Sequence, residues 1–303
     1  MQRNSFKTLM NLILILLVTF SFIYGFQVTK KAQTLITKGM YEEAIPLLED
    51  IILDKPENGE AYYLLGRAYL LLGEEESAFE SFNRAISAKK KDKKRLTYRF
   101  KELGRKYSLE YGELGLAEKL FDLAVNINPK EKRKIAEILI DEGEEISETD
   151  GYFTPKLFKL AVRYLENQEI KSALIFDIER INQRETIKAM NLLADTIKKY
   201  INDNGTAPQH SGNLTAFSLF YSALMPYMQK QNLFVFDCWE NPFYIISGES
   251  NSNDFLIISS GRDGIRDEDI PLKKITFNCT KLSDFNNDLI LKNGNWIKTP
   301  KIE

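Results

Sequence analysis

A repeated pattern of small and aromatic residues in the first half of this 303-residue chain constrains its fold more than any other feature. Between residues 59 and 92 an apolar stripe carries small residues at fixed intervals, giving the set Leu65, Gly66, Tyr69, Gly73, Ala78, Phe82 and Ala85. A shift of 34 residues toward the N-terminus finds the matching set Gly39, Ala44, Leu48 and Ile51. A third set follows toward the C-terminus, Gly112, Ala117, Phe121, Ala124 and Pro129. Small residues let two antiparallel helices approach closely, and the larger ones fill the space between them.

Spacing of this kind resembles the tetratricopeptide repeat, a helical hairpin with a period of about 34 residues. The stretch LGRKY at 103–107 supplies part of the first helix of a third repeat, with an insertion of one residue. A degenerate fourth pair of helices is expected near 132–147 and 154–166. The resemblance therefore implies an α-solenoid over residues 28–170, because about three stacked repeats are needed for a stable one.

The same resemblance implies a binding surface, because the first helix of each repeat in this family lines a concave groove that holds peptides. By register, Tyr63, Arg67 and Leu70 of the second repeat and Lys101 and Arg105 of the third face that groove. Lys101 and Arg105 are four residues apart and share a helix face. With Arg67 they are predicted to bind an acidic segment or a C-terminal carboxylate. The alternative is that these are ordinary solvated charges.

An apolar segment precedes the repeats. Residues 9–26, LMNLILILLVTFSFIYGF, contain no charged side chain. As a helix, a segment of this length measures about 27 Å, close to the hydrocarbon thickness of a bilayer. The alternative is a cleaved signal peptide, which usually has a shorter apolar core and a small-x-small site that SFIYGFQVTKKA does not offer. We therefore predict a single-pass membrane anchor over residues 1–27.

Composition excludes several classes of function. A formal net charge of −2 gives no overall field that would attract nucleic acid. The chain has one histidine, His210, which leaves no set for a histidine metal cage or a histidine-dependent catalytic triad. Because the sequence also offers no nucleophile paired with a base, we expect a protein that binds other proteins and is not an enzyme.

After about residue 180 the sequence changes character. An amphipathic helix is predicted from 185, ending at Asn204 and Gly205, which form a helix-stopping pair. Strand-like runs follow at 243–247, 255–260, 274–279 and 288–298, and Asn293-Gly294 is typical of a hairpin turn. We therefore expect a mainly α chain whose last part, 180–303, is a smaller α+β domain with an antiparallel sheet.

Three motifs mark this last part in a fixed order. The helix ends with Tyr200, Gly205 and Pro208. A second motif comprises Asp237, Trp239, Asn241, Pro242 and Phe243, and a third comprises Ser259 or Ser260, Gly261, Asp263 and Gly264. This order resembles the periplasmic head of the major pseudopilin of type II secretion, general secretion pathway protein G, over residues 183–298. Glu240 stands where that family has glycine in the second motif.

The resemblance implies a head domain outside the cytoplasm, but the chain departs from the family in two ways. The repeats separate the apolar segment from the head, and no Gly-Phe-Thr-Leu-x-Glu processing motif is present at the N-terminus. We therefore expect the head to act as an interaction module in a membrane-anchored envelope scaffold, associated with a type II secretion or type IV pilus-like system. The alternative is a structural subunit of a pseudopilus-like fibre.

A group of carboxylates lies in the loop of the third motif. Asp263, Asp267 and Asp269 fall within seven residues, and like charges this close repel unless they are solvated or bridged by a cation. Calcium takes six to eight oxygen ligands and tolerates irregular loops. In the pseudopilin family the matching loop binds calcium, which implies these three aspartates and backbone carbonyls near Ser260 as ligands. The alternative is that Arg262 or Arg266 neutralises the loop.

Two cysteines, Cys238 and Cys279, lack the spacing of a metal site. If this region is exported they form a candidate disulfide, and if it stays in the cytosol they are buried thiols. A calcium loop and a disulfide both favour the external side of the membrane. We therefore predict a short cytoplasmic N-terminus and a body on the periplasmic or external side of the inner membrane.

Overall fold

The structure, a computed structural model, describes residues 27–88, 93–147, 149–208, 215–216, 221–228, 236–247, 252–267 and 269–301. The predicted membrane segment, 9–26, and His210 lie outside these ranges. Within them, no helix has both the length and the hydropathy that crossing a bilayer requires. The chain divides into two compact units, one ending at Glu131 and the other beginning at Lys132. The domain bounds predicted from the sequence, 28–170 and 180–303, are a different division and stay predictions.

The first unit consists of consecutive helices joined by short turns. The described part of α1 covers 27–37. The others are α2 (Tyr41–Asp54), α3 (Gly59–Leu71), α4 (Glu75–Ser87), α5 (Lys93–Leu109) and α6 (Leu114–Ile127). Three glycines of the repeated pattern form the turns after α1, α3 and α5: Gly39, Gly73 and Gly112 have φ of 80°, 82° and 69°. Side chains strain the backbone in this left-handed region, so the recurring glycine is a turn requirement.

A second recurring glycine allows the two helices of a hairpin to touch. A Cβ atom on Gly66 of α3 would lie 2.5 Å from the ring of Phe82 on α4, and one on Gly104 of α5 would lie 2.8 Å from Phe121 on α6. Real Cβ atoms do not approach an aromatic ring so closely, so each glycine leaves the space that one aromatic ring occupies. The rings of Phe82 and Phe100 meet edge to face at 5.2 Å and join neighbouring hairpins.

The second unit begins with another hairpin of the same kind. Helices α7 (Glu131–Ile146) and α8 (Thr154–Tyr164) occupy the positions expected for a fourth helix pair. Phe158 fills the space left by Gly143, repeating the glycine and aromatic contact of the first unit. The hydroxyl of Thr154 also donates a hydrogen bond of 3.3 Å to the backbone oxygen of Gly143.

Helix α9 (Gln168–Asn204) has 37 residues and is about 55 Å long. Its N-cap, Asn167, accepts hydrogen bonds from the N–H groups of Glu169 and Ile170, and Gly205 ends it with φ 78°. The predicted end of the helix is therefore confirmed, but its start lies 17 residues before the expected 185. The first half packs on α8 and the second half lies under the sheet.

The sheet has six strands in the order β1-β2-β3-β5-β6-β4. Its elements, with the short helices between them, are β1 (Thr215–Ala216), α10 (Tyr221–Leu224), a 3-10 turn (Met225–Tyr227), β2 (Tyr244–Ser247), β3 (Phe255–Ser259), β4 (Ile275–Phe277), a 3-10 turn (Leu282–Asn286), β5 (Leu289–Lys292) and β6 (Asn295–Pro300). Neighbouring strands are antiparallel except β4 and β6. Asn293 and Gly294, both with positive φ, form the predicted hairpin turn between β5 and β6.

The core of the sheet region lies between α9 and one face of the strands. Met190, Leu193 and Ile197 of α9 pack in one cluster with Ile257 and Leu291 of the sheet, and all five are buried. The expectation of a mainly helical chain with a small C-terminal sheet is confirmed. This arrangement fixes the loops that carry the second and third sequence motifs at one end of the strands.

Candidate functional site

A small cavity lies at the C-terminal ends of α1, α3 and α5, the first helices of three repeats. Its volume is about 210 Å³. The apolar part of its wall comprises Ile36, Leu70, Leu71 and Leu103. The polar part comprises Thr37, Tyr41, Arg67, Lys106, Tyr107 and Tyr111. We call this cavity the groove pocket.

Arg67 and Leu70 are the two predicted groove residues that line the groove pocket. Arg67 is half-buried, and no carboxylate of the described residues forms an ion pair with it. Its guanidinium lies near the phenols of Tyr63 and Tyr107. Burial raises the pKa of both phenols, and the charge of Arg67 opposes that rise. Both tyrosines therefore keep their O–H groups at neutral pH, with a cation beside them.

The other predicted groove residues lie elsewhere. Tyr63 is 5% exposed, and its ring packs between those of Phe82 and Phe100 at 5.9 and 5.6 Å. The structure thus places Tyr63 in the core, because its neighbours on α4 and α5 enclose it. The ammonium group of Lys101 lies 2.8 Å from a carboxylate oxygen of Glu131, so its charge is already paired. Arg105 is exposed on α5 and does not line the groove pocket.

Sequence reasoning missed the remaining polar residues of the groove pocket. The ammonium group of Lys106 lies 5.3 Å from the ring centre of Tyr111 and 3.5 Å from a carboxylate oxygen of Glu110. A hydrogen bond with Tyr111 is the main cause of the raised pKa of Lys106. Tyr107 belongs to the LGRKY stretch, where it was interpreted only as a repeat residue. Tyr41 begins α2, so its position depends on the turn at Gly39, and spacing within a helix does not predict it.

In the second unit, the second and third sequence motifs bind each other. One carboxylate oxygen of Asp237 accepts the backbone N–H groups of Trp239 and Asn241 at 3.0 and 2.8 Å. The other accepts the hydroxyl of Ser259 at 2.7 Å. The side chain of Asn241 donates to the backbone oxygen of Gly261 at 2.8 Å. Burial raises the pKa of Asp237 to about 6, against these hydrogen bonds.

Both motifs also bind one carboxylate of α9. The indole N–H of Trp239 donates to Glu179 at 2.5 Å, and the guanidinium of Arg262 lies 3.2 Å from the other oxygen of Glu179. Glu240 has φ 68°, the left-handed region in which glycine is least strained. Glu240 stands where the pseudopilin pattern has glycine, and the resemblance to that family stays a prediction.

The three predicted calcium ligands are exposed and not drawn together. Asp263 accepts the backbone N–H of Ile265 at 3.0 Å, and Asp267 pairs with Lys298 at 2.5 Å. Asp269 is exposed. Across the described part of the chain, no three histidine, cysteine, aspartate or glutamate side chains are grouped closely enough to hold a metal ion.

Sequence reasoning missed a fourth carboxylate beside this loop. Asp288 is 1% exposed and accepts the backbone N–H of Asp267 at 2.8 Å. Burial is the main reason that its pKa rises to about 6, and the carboxylates of Asp267 and Asp263 add to the rise. Its other oxygen has no hydrogen-bond partner among the described residues, and neither do the buried side-chain oxygens of Ser260 and Asn286. Unsatisfied buried oxygens are suited to a cation or to water, and calcium at this loop stays a prediction.

The two cysteines contact neighbouring turns of α9. The backbone N–H of Cys238 donates to the hydroxyl of Thr186 at 3.0 Å, and the thiol of Cys279 donates to Gln183 at 3.2 Å. Both are free thiols in this structure. Burial raises the pKa of Cys238 to about 11, so this thiol is a poor nucleophile at neutral pH.

Comparisons with known proteins bear on the repeats. A family profile described as tetratricopeptide repeat matches residues 29–93. The prediction of tetratricopeptide repeats is therefore confirmed for this region. The crystal structure of MamA is 23% identical over an alignment that covers 46% of this chain and 77% of that chain, with a TM-score of 0.28. A TM-score this low supports no inference. No curated protein sequence matches the chain.

Proposed function

We propose that the protein is a membrane-anchored scaffold that holds a partner protein by binding one of its peptide segments in the groove pocket. The observation that carries this proposal is the half-buried Arg67, which lies in a cavity shared by the first helices of three repeats. Repeats of this kind form extended surfaces suited to peptides. Nothing in the two sequence motifs of the second unit supplies a nucleophile with a base, so the proposal includes no catalysis.

The proposal also includes the position of the protein in the cell. Residues 9–26 serve as a single-pass anchor in the inner membrane, and the body lies on the periplasmic or external side. The length and apolar character of the segment support the anchor. The side of the membrane follows from the head, whose resemblance is to a domain that works outside the cytoplasm.

The second unit has the role of a pseudopilin-like head that docks near a type II secretion or type IV pilus-like machine. Three observations support this role: the packing of α9 under a mostly antiparallel sheet, the hydrogen bonds between the Asp237 and Gly261 motifs, and the left-handed backbone of Glu240. The partner in that machine is a protein. Truncation of the head tests whether the partner binds there.

Calcium is part of the same proposal. Asp263, Asp267 and Asp269 with Asp288 and backbone oxygens near Ser260 would hold the ion, and calcium would offset the repulsion that the carboxylates of Asp267 and Asp263 exert on Asp288. Titration of calcium into the full-length protein is expected to release or absorb heat and to raise Tm, and Asp288→Asn is expected to weaken both effects. The absence of heat and of a Tm change at millimolar calcium would exclude the ion.

Crosslinking in intact cells tests the scaffold proposal. A photo-crosslinking amino acid is placed at Leu71, which lines the groove pocket, and separately at Leu53, which is 84% exposed on α2 and serves as the control. We expect a protein adduct at Leu71 that is absent at Leu53, identified by mass spectrometry. Equal adducts at both positions, or none at Leu71, would contradict the proposal.

A further inference from the structure

We infer that the outer edge of β4 binds an extended, acidic segment of a partner protein, which adds to the sheet as a further strand. This rests on the proposed docking role of the second unit, because it names the surface of that unit and the chemistry of its partner. Three properties of the edge lead to it: the backbone groups of β4 that face away from the sheet, the apolar side chains beside them, and the lysines at both ends.

β4 is an edge strand whose backbone is paired on one side. It lies at the end of the sheet and pairs with β6, in parallel. The backbone N–H of Lys301 donates to the oxygen of Phe277 at 2.8 Å, so the backbone of Phe277 faces β6. Because successive residues of a strand point their N–H and C=O groups to opposite sides, the backbone of Thr276 faces away from β6. This edge therefore offers a donor and an acceptor to an added strand.

The side chains along this edge are open to solvent and partly apolar. Leu272 is fully exposed and Ile275 is 44% exposed, although both are large apolar residues. Ile275 and Phe277 are two apart and share one face of the strand, and Phe277 packs partly against the core of the sheet region. The core thus continues to the edge as an apolar strip. An added strand with alternating apolar side chains would cover it.

The charge at the edge specifies the partner. Residues 270–281 contain three lysines and no carboxylate. Lys273 and Lys274 precede β4, and Lys301 lies beside its other end; all three are exposed, and none forms an ion pair with another described residue. Lys298 of β6 is already paired with Asp267. The unpaired cations favour a segment whose apolar residues alternate with carboxylates.

The same lysines disfavour a second copy of this chain as the occupant. Because cations lie at both ends of β4, either direction of pairing between two such edges brings lysines of the two copies together. Like charges on neighbouring strands destabilise a sheet, and lysine at an edge is a common means of avoiding self-association. β4 has three residues, which limits what pairing with itself could gain. An acidic partner meets attraction instead.

The test uses the full-length protein, purified in detergent, and octapeptides with both ends blocked. A fluorescent peptide of alternating Val and Glu is compared with one of alternating Val and Lys, and with a Val-Glu peptide whose backbone nitrogens are all methylated and cannot donate. By fluorescence polarisation we expect the unmodified Val-Glu peptide to bind at least about tenfold more tightly than either of the others. We also expect it to slow hydrogen exchange of the amides in residues 270–281.

Variants assign the binding to β4. Thr276→Pro removes the outward N–H and no hydrogen bond to β6, so we expect at least about tenfold weaker binding, whereas Thr276→Val keeps the N–H and is expected to bind as the parent protein does. Lys273→Gln combined with Lys274→Gln is expected to weaken binding several-fold and to reduce its dependence on salt. Lys156→Gln combined with Lys159→Gln, at exposed positions of α8, is the matched charge control. A Tm close to that of the parent protein shows that each variant is folded.

Four results would each overturn the inference: equal binding of the Val-Glu and Val-Lys peptides, no binding of either, unchanged hydrogen exchange over 270–281, or parent-like binding by folded Thr276→Pro. A dimer of the parent protein that Thr276→Pro dissociates, measured by sedimentation, would place a second copy at the edge and would also overturn it. Failure here is separable from failure of the proposed function. A cellular partner that is lost on truncation of the head but retained by Thr276→Pro would leave the docking role intact and reject only the β4 edge.

Discussion

At the scale of single residues, Gly66 has the most clearly defined role, because it meets both a ring and a backbone. A Cβ atom there would lie 2.5 Å from the ring of Phe82 and 2.9 Å from the backbone oxygen of Ala78. We expect Gly66→Ala to lower the free energy of unfolding by about 1–3 kcal/mol through overpacking, although alanine has the better helix propensity. Urea denaturation of the full-length protein measures the difference.

Gly115→Ala is the control for Gly66→Ala. Gly115 is also helical, in α6, and a Cβ atom there has no neighbour within 4 Å. Without a clash, helix propensity alone acts, and we expect stabilisation by up to about 1 kcal/mol. If both variants changed the free energy of unfolding in the same direction, the close contact between Gly66 and Phe82 would not be the reason for glycine at position 66.

Asp237 gives a prediction about pH. Burial raises its pKa from 3.8 to about 6 in the folded protein, so the folded state binds more protons than the unfolded state between these values. The contribution of Asp237 to the free energy of unfolding is therefore fully present below about pH 4 and is lost as the pH rises through about 6. We expect Asp237→Asn to remove a decline on the order of 1–3 kcal/mol across this interval.

The measurement is the free energy of unfolding from pH 4 to 7, in EDTA to exclude metal ions. Glu240→Gln is the control, since Glu240 is exposed and lies in the same turn. A parent protein whose stability rose from pH 4 to 7 with the same slope as Asp237→Asn would contradict the role given to burial of this carboxylate.

The groove pocket shows which of its lining residues the sequence could indicate. Arg67 and Leu70 both line the groove pocket, because both follow the helical register of one repeat, and their role in peptide binding stays a prediction. Lys101 instead pairs with Glu131, which lies at the start of a later helix, and spacing within α5 gives no sign of that partner. Asp288 was missed for a similar reason, since it reaches the Asp267 loop only through the pairing of strands.

At the scale of elements, α9 joins two kinds of packing. Its first half contacts α8, and its second half supports the sheet. Between the two halves the helix buries polar side chains, among them Glu179, Asn182, Gln183, Glu185 and Thr186. These interrupt the apolar stripe by which an amphipathic helix is recognised, so the sequence predicted only the part from 185 onward. The turns at Gly39, Gly73 and Gly112 were predictable because a positive φ selects glycine repeatedly.

A substitution of Glu179 tests whether this carboxylate connects α9 to the second and third sequence motifs. Glu179→Ala removes the acceptor of the Trp239 indole and the partner of Arg262. We expect a loss of about 1–3 kcal/mol in the free energy of unfolding, because a half-buried donor is left without its acceptor. Tryptophan fluorescence during urea denaturation measures this loss.

Asp177→Ala serves as the comparison, because Asp177 lies on the same helix and is exposed. We expect it to change stability by less than about 0.5 kcal/mol. Equal effects of the two substitutions would mean that Glu179 does not connect the helix to the Trp239 motif. The same contacts predict that a fragment beginning at 180 is less stable than one beginning at 166, because the shorter fragment lacks Glu179.

At the scale of the whole molecule, the chain combines a series of helical hairpins, for which we propose peptide binding, with an α+β region near its C-terminal end, and the proposed anchor keeps both at a membrane. An anchored scaffold meets its partners at a high local concentration, so each surface can be weak and still hold a partner.

The orientation of the chain in the membrane is a prediction that the flanking charges alone do not determine. Arg3 and Lys7 precede the apolar segment, and Lys30 and Lys31 follow it, so the positive charges on the two sides balance. The predicted side of the membrane therefore rests on the last part of the chain, because the pseudopilin resemblance and the proposed calcium site both imply the external compartment. We expect the protein to remain in the membrane fraction after washing at alkaline pH, and a variant lacking residues 1–26 to be released.

Reporter fusions at the C-terminus distinguish the two orientations. Alkaline phosphatase, which is active only outside the cytoplasm because it needs its disulfides, is expected to be active when fused after Glu303. A cytoplasmic reporter at the same position is expected to be inactive. The opposite pair of results would place the repeats and the head in the cytoplasm. Cys238 and Cys279 would then remain thiols, and calcium at cytoplasmic levels would be too scarce to occupy a low-affinity loop.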